Sequence, residues 1–152
     1  MLRVRLNEAL KKAMLSKDQT SVSTVRLILA ALKDRDIAAR TRAVDGGVTE
    51  DEILQLLQTM IKQRRESIVL YEKGGRDDLV KQEADEITII EQFLPKQMTE
   101  DEIHAAIKEV IAELGAEGLK GMGGVMATLR ERYAGRMDFG KASGFAKQAL
   151  TG

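Results

Sequence analysis

Cysteine is absent from the chain, tryptophan is absent, and proline and histidine occur once each, as Pro95 and His104. Without cysteine there is no disulfide, no thiol nucleophile and no thiolate-held zinc or iron-sulfur centre. A single histidine leaves little for acid-base chemistry or metal ligation. Aromatic residues make up only 3% of the sequence, while Leu, Ile, Val, Ala and Met carry the apolar positions. That composition favours helix-on-helix packing over a sheet core. No basic segment followed by an apolar core opens the chain, and no apolar run is long enough to span a bilayer. These absences lead to the expectation of a cytoplasmic protein without membrane contact.

What is present is mostly helical periodicity. Between Ile53 and Tyr71 the residues Ile53, Leu57, Met60, Ile61, Ile68 and Tyr71 recur every three or four positions, on one face of a helix turning about 100° per residue. Beyond Gly74-Gly75, a second stripe comprises Leu79, Ile87, Ile90, Phe93 and Leu94. Two helices broken by a glycine pair predict an antiparallel hairpin, because glycine accepts the left-handed backbone that ends a helix. Charge falls inside both stripes: Arg64 in the first, Glu83 and Glu86 in the second. An unpaired buried charge is costly and an arginine-carboxylate fork is tolerable, so a structural ion pair of Arg64 with Glu86 or Glu83 is expected.

Around this hairpin the chain reads as all-α. Leu2, Leu6, Leu10 and Met14 mark a first helix, and Val22, Val25, Leu29 and Leu32 a second that runs toward Ala43. Arg26, Lys33 and Arg40 lie one heptad apart on that second helix; with Asp34 and Asp36 nearby, they are read as a solvated face. Asp45-Gly46-Gly47 breaks the chain, and Thr49 with Glu52 has capping-box spacing. Pro95 stops the fourth helix. The expected organisation is an N-terminal four-helix lobe over 1–95 and a three-helix C-terminal lobe over 96–152. In the second lobe, Thr99 and Glu102 open a helix ended by Gly115, a glycine-rich passage leads into Met122, Val125, Met126, Leu129 and Tyr133, and Asp138 caps a last helix.

The net charge is zero, with 24 basic and 24 acidic side chains, but it is unevenly spread. Residues 1–47 hold ten basic against five acidic groups, residues 48–95 six against eleven, and residues 118–152 six against two. Field asymmetry of this kind bears on partners rather than on fold. Gly135 to Lys141 matches the spacing of a phosphate loop, yet Ala142 replaces the metal-binding hydroxyl and no strand precedes it, so the match is spurious. Glu83, Glu86 and Glu91 lack the Glu-x-x-His partners of a di-iron bundle. No catalytic constellation, metal site or cofactor site is defined by spacing.

The stretch from Gln63-Arg64-Arg65-Glu66-Ser67 through Tyr71-Glu72-Lys73-Gly74-Gly75-Arg76-Asp77-Asp78-Leu79 to Phe93-Leu94-Pro95-Lys96-Gln97, with Gly118-Leu119-Lys120-Gly121-Met122-Gly123-Gly124-Val125-Met126, resembles the GatB/YqeY family of small bacterial proteins. The second passage is similar to the C-terminal tail of the B subunit of the glutamine-dependent aspartyl/glutamyl-tRNA amidotransferase. The resemblance implies association with tRNA or with amidotransferase or synthetase components, through a tail that grips tRNA and carries no catalytic centre. It points to a non-catalytic adaptor, with two alternatives: a participant in glutamine-dependent amide transfer (a carbon-nitrogen ligase activity) within a complex, and a helical protein-interaction module with an apolar groove between the lobes. For the adaptor, the expected RNA contacts are Lys120, Arg130, Arg132, Arg136, Lys141 and Lys147, with backbone phosphate contact at Gly121, Gly123 and Gly124 ahead of a helix. The oligomeric state is not legible.

Overall fold

In the computed structural model, residues 1–41 and 47–152 are described, and they form an all-α protein. The helices are α1 (Leu2–Ser16), α2 (Gln19–Thr41), α3 (Glu50–Lys73), α4 (Asp77–Glu91), α5 (Glu100–Leu114), α6 (Met122–Tyr133) and α7 (Phe139–Thr151), with a 3-10 turn at Leu119–Gly121. The continuation of α2 to Ala43 and the Asp45-Gly46 break lie outside the described residues. The backbone divides into two compact units, Met1–Pro95 and Lys96–Gly152.

In the first unit, Leu6, Ile28, Ile53, Leu57 and Ile90 are fully buried and define the centre of the core. Thr49 caps α3 by accepting the Glu52 N–H, and Glu50, Asp51 and Glu52 place negative charge at its positive end. The helix ends in a Schellman motif: Arg76 N–H donates to the Tyr71 carbonyl (2.9 Å) and Gly75 N–H to that of Glu72 (3.2 Å). The left-handed position is Gly75, at φ 68°, while Gly74 remains right-handed. The apolar stripes bury unevenly. Ile53, Leu57, Met60 and Ile61 are in the core, but Ile68, Tyr71 and Leu79 are only half-buried. The hairpin outruns the core that α1 and α2 provide, so its distal turns pack only on each other. Similarly, Met14 of the expected α1 stripe is 52% exposed and Ala13 is buried instead, because α1 stops at the left-handed Lys17 and its last turn overhangs.

The second unit is a three-helix arrangement around Ile103, Ile107, Val110, Val125, Leu129 and Met137. Thr99 and Glu102 form a reciprocal capping box at the start of α5. Ala142 and Ala146, each fully buried, let α7 approach closely. The 3-10 turn needs a glycine at its end: a Cβ on Gly121 would stand 2.9 Å from the Ala116 Cβ. Asp138 accepts the Lys141 N–H (3.2 Å) to cap α7, so the segment that mimics a phosphate loop is a capped turn whose backbone donor is already used.

Candidate nucleic-acid interface

Charge inside the α3–α4 seam is matched locally. Arg64 Nε donates to Glu86 Oε2 at 2.8 Å and its Nη1 to the Met60 carbonyl at 3.1 Å, while Glu83 stands 4.0 Å from the guanidinium, too far for a hydrogen bond. Two carboxylates therefore share one guanidinium. Burial, and secondarily the neighbouring Glu86, push the Glu83 carboxyl above its ordinary value, against the pull of Arg64. The arrangement stabilises the seam and presents no open acid-base pair to a substrate. Among the described residues, no group of three or more His, Cys, Asp or Glu side chains is placed to hold a metal ion.

The six cations expected at RNA sort into two ends of the second unit. At one end, Gln97 Nε2 donates to the Gly135 carbonyl (2.6 Å) and Met98 N–H to that of Arg136 (2.8 Å), which ties the turn after α6 to the start of α5. Arg136 is half-buried there, with Nε 3.4 Å from the Lys96 carbonyl, and Lys141 pairs with Glu100 at 3.3 Å. Glu102 in the same turn is held below its usual range by the Thr99 N–H and hydroxyl, helped by the fields of Lys96 and Arg136. Arg132 is bonded to Glu113 of α5, which raises its own affinity for its proton. Arg130 lies over the Phe139 ring, 5.8 Å from its centroid.

At the other end, the 3-10 turn carrying Lys120 packs against both α6 and α7. Arg130 near the end of α6 meets Phe139 at the start of α7, and Lys147 lies about two turns further along α7. Lys120 and Lys147 are exposed and have no ion-pair partner among the described residues. Gly121 precedes α6 with no side-chain cap, and a Cβ on Gly123 would meet nothing within 4 Å, so the start of that helix is open to approach. Gly124 is nearer to protein, 3.7 Å from Leu114 Cδ1. Lys120 and Arg136 flank α6 at opposite ends, about 18 Å apart for a twelve-residue helix. The six cations thus form no single cluster: Lys120 and Lys147 are exposed and unpaired among the described residues, Arg130 lies over Phe139, Arg136 is half-buried beside the Lys96 carbonyl, and Arg132 and Lys141 are committed to carboxylates. His104 does not enter this surface; it stacks on Phe145 with ring centroids 4.0 Å apart.

Sequence reasoning did not find an open groove inside the first unit, of about 570 Å³, between α2 and α3. Its lining includes Leu27, Ala31, Ala38, Leu56 and Met60, with Asp34, Arg35 and Arg64. The signal was available in Leu27 and Ala38, apolar residues on a helix face whose other side already fills the core. No helix among the described residues is long and apolar enough to cross a membrane.

Comparison with known proteins supplies relatives from yeasts, each named Altered inheritance of mitochondria protein 41, mitochondrial. The chain is 39% identical to the protein from Eremothecium gossypii over 89 residues, covering 59% of this chain and 46% of that one. It is 36% identical to that from Kluyveromyces lactis over 112 residues, 72% and 58% of the two chains, and 32% identical to that from Saccharomyces cerevisiae over 94 residues, 62% and 49%. The chain spans about half the length of the curated relatives it matches. Their printed names correct the expectation of a bacterial, cytoplasmic protein: these relatives are eukaryotic and mitochondrial. The expectation rested on features that do not distinguish one aqueous compartment from another. Residues 3–150 match the YqeY-like protein family, nearly the whole chain, and the protein belongs to that family.

Proposed function

We propose that the protein is a non-catalytic adaptor that binds tRNA through its second unit, in the mitochondrial setting named for its relatives, and so associates with the machinery that modifies aminoacyl-tRNA. The observation that carries this reading is the exposed, unpaired Lys120 in a 3-10 turn that packs against both α6 and α7, the latter carrying the exposed, unpaired Lys147. Unpaired ammonium groups near the positive end of a helix suit phosphate oxygens, although the Gly121 and Met122 N–H groups already donate to the Gly118 and Leu119 carbonyls. Arg130 extends the same sign along the α6–α7 seam, where Ala127, Gly140 and Gly144 are exposed and small enough for close backbone approach. The aromatic rings of this unit, Tyr133, Phe139 and Phe145, are at least half-buried, so contact is with phosphates and helical shape rather than by base stacking. The similarity of Gly118 to Met126 to the amidotransferase B-subunit tail supports the choice of tRNA over other polyanions.

The test titrates bulk tRNA against the full chain and against K120E/K147E at several salt concentrations. With about three phosphates neutralised, log affinity falls with log salt at a slope of about −2 to −3, and the double reversal flattens it by about two thirds. Equal binding and equal slope for the two proteins would refute the proposal.

A further inference from the structure

The first unit carries an outward surface that its own fold leaves uncovered. Along α2, the residues Ser23, Leu27, Ala30, Asp34, Ile37 and Thr41 fall on one solvent-facing line at the helical repeat, and all are exposed. Leu27 is 48% and Ile37 49% exposed, although Val25, Ile28 and Leu32 on the opposite face already fill the core. One edge of this line opens into the groove floored by Leu56 and Met60 of α3. Along the other edge run Arg26, Lys33 and Arg40, one heptad apart and all exposed.

Asp34 and Asp36, the acids nearest them in sequence, form no ion pair with them, although the field of Asp36 still reaches Arg40. Asp36 is turned the other way: both its oxygens accept from the Arg3 guanidinium at 2.7 Å, and Oδ1 also accepts the Val48 N–H at 3.1 Å. Asp34 faces the groove. Arg26, Lys33 and Arg40 have no ion-pair partner among the described residues, and Arg35 adds a fourth cation on the groove side. The surface therefore sets Leu27, Ala30, Ile37 and Ala38, interrupted by Asp34 and ending at Ser23 and Thr41, beside cations that have no ion-pair partner among the described residues. Nucleic acid fits it poorly, since the centre of the strip offers no donors to phosphates. A helix with an apolar stripe fits it, provided the flanks of that helix are acidic.

We propose that the outer face of α2, with the adjoining α2–α3 groove, docks an amphipathic helix of a partner protein whose apolar stripe is flanked by glutamate or aspartate. Leu27, Ala30, Ile37 and Ala38 take the apolar stripe, and Arg26, Lys33 and Arg40 meet the acidic flank. The surface lies in a different unit from the one assigned to tRNA, so the two proposals fail independently.

The test uses the full chain and two labelled synthetic helices with one apolar stripe, flanked by Glu in one and by Lys in the other. Fluorescence anisotropy reads affinity, and amide shifts of Leu27, Ala30 and Ile37 in NMR spectra report the site. The Glu-flanked helix is expected to bind with shifts on α2, and the Lys-flanked helix to bind at least about tenfold more weakly. R26Q/K33Q/R40Q and L27S/I37S, each with an unchanged circular dichroism spectrum and melting temperature, should each weaken the Glu-flanked helix by about tenfold or more. Equal affinity for the two helices, no binding up to about 1 mM, shifts elsewhere than α2, or unchanged affinity in both variants overturns the proposal. So does tRNA binding that is lost in R26Q/K33Q/R40Q, which would make the stripe an RNA surface.

Discussion

Replacing Arg64 by alanine removes the only cation among the described residues that pairs with two largely buried carboxylates. The side chains of Arg64, Glu86 and Glu83 are 13%, 11% and 17% exposed, and truncation also frees the Met60 carbonyl from its donor. Breaking a fully buried pair costs about 3–5 kcal/mol. The residual exposure lets water reach the stranded carboxylates, so the loss expected at pH 7.5 is about 2–4 kcal/mol. The effect depends on pH in a defined direction. Burial and repulsion from Glu86 already hold Glu83 above its ordinary value of 4.5, and removal of Arg64 takes away the opposing pull. A carboxyl whose folded pKa exceeds its unfolded one costs stability above both, and the cost is relieved as pH falls through the raised value toward the ordinary one. The deficit of R64A in urea unfolding followed by circular dichroism should therefore shrink as pH is lowered from 7.5 toward 4.5. Substituting the whole group, as R64M/E83Q/E86L, should recover stability to within about 1 kcal/mol of the parent, because apolar replacement of a buried ion pair is often neutral or better. An unchanged midpoint in R64A would refute the burial argument, and a deficit independent of pH would refute the electrostatic one.

Other outcomes follow from the same packing and charge arguments. Asp36 is held down to about 2, chiefly by its hydrogen bonds from Arg3. Its contribution is complete above the ordinary carboxylate value and lost as pH falls through about 2; with Arg3 39% exposed, D36N should cost about 1–2 kcal/mol at pH 7, fading below pH 4 in acid unfolding. G121A drives a Cβ to within 2.9 Å of Ala116 and should destabilise the second unit by about 1–2 kcal/mol, measured by hydrogen exchange of α5 and α6 amides. G144A places its methyl in open space on an exposed helix face and should stabilise α7 by about 0.5–1 kcal/mol in the same experiment, unless tRNA is bound, when lost affinity would mark that face as a contact.

The helices were legible because period and punctuation agreed. Thr49, Thr99 and Asp138 cap α3, α5 and α7 where their spacing to the apolar stripes placed them, and Gly75 and Gly115 end α3 and α5 in the left-handed region. Depth of burial was less legible. Periodicity gives the direction of a side chain around its helix, whereas exposure also depends on how far the neighbouring helices extend. Ile68 and Tyr71 continue the stripe of Ile53 and Leu57 without interruption, but both are only half-buried, Ile68 against the edge of the core. The same limit applies to the 3-10 turn, where a close approach between Gly121 and Ala116 depends on residues five apart meeting across a reversal.

Charge was the least legible layer, because a count along the chain assumes that near neighbours in sequence neutralise one another. Asp36 is four residues from Arg40 and three from Lys33, yet its hydrogen bonds go to Arg3 from another helix, which leaves the stripe without an ion pair and only the field of Asp36 at Arg40. In the second unit the reverse occurs. Six cations against two acids from Gly118 onward look like an open basic surface, but Glu113 and Glu100, both earlier in the chain, take Arg132 and Lys141. Two long-range carboxylates thus remove one cation each from one surface, and a long-range arginine takes one acid from the other. Neither exchange alters the net charge of zero. Each alters which face has a field left to offer a partner, and it is on that residual field that the proposed phosphate contact at the start of α6 and the proposed acidic partner of α2 both rest.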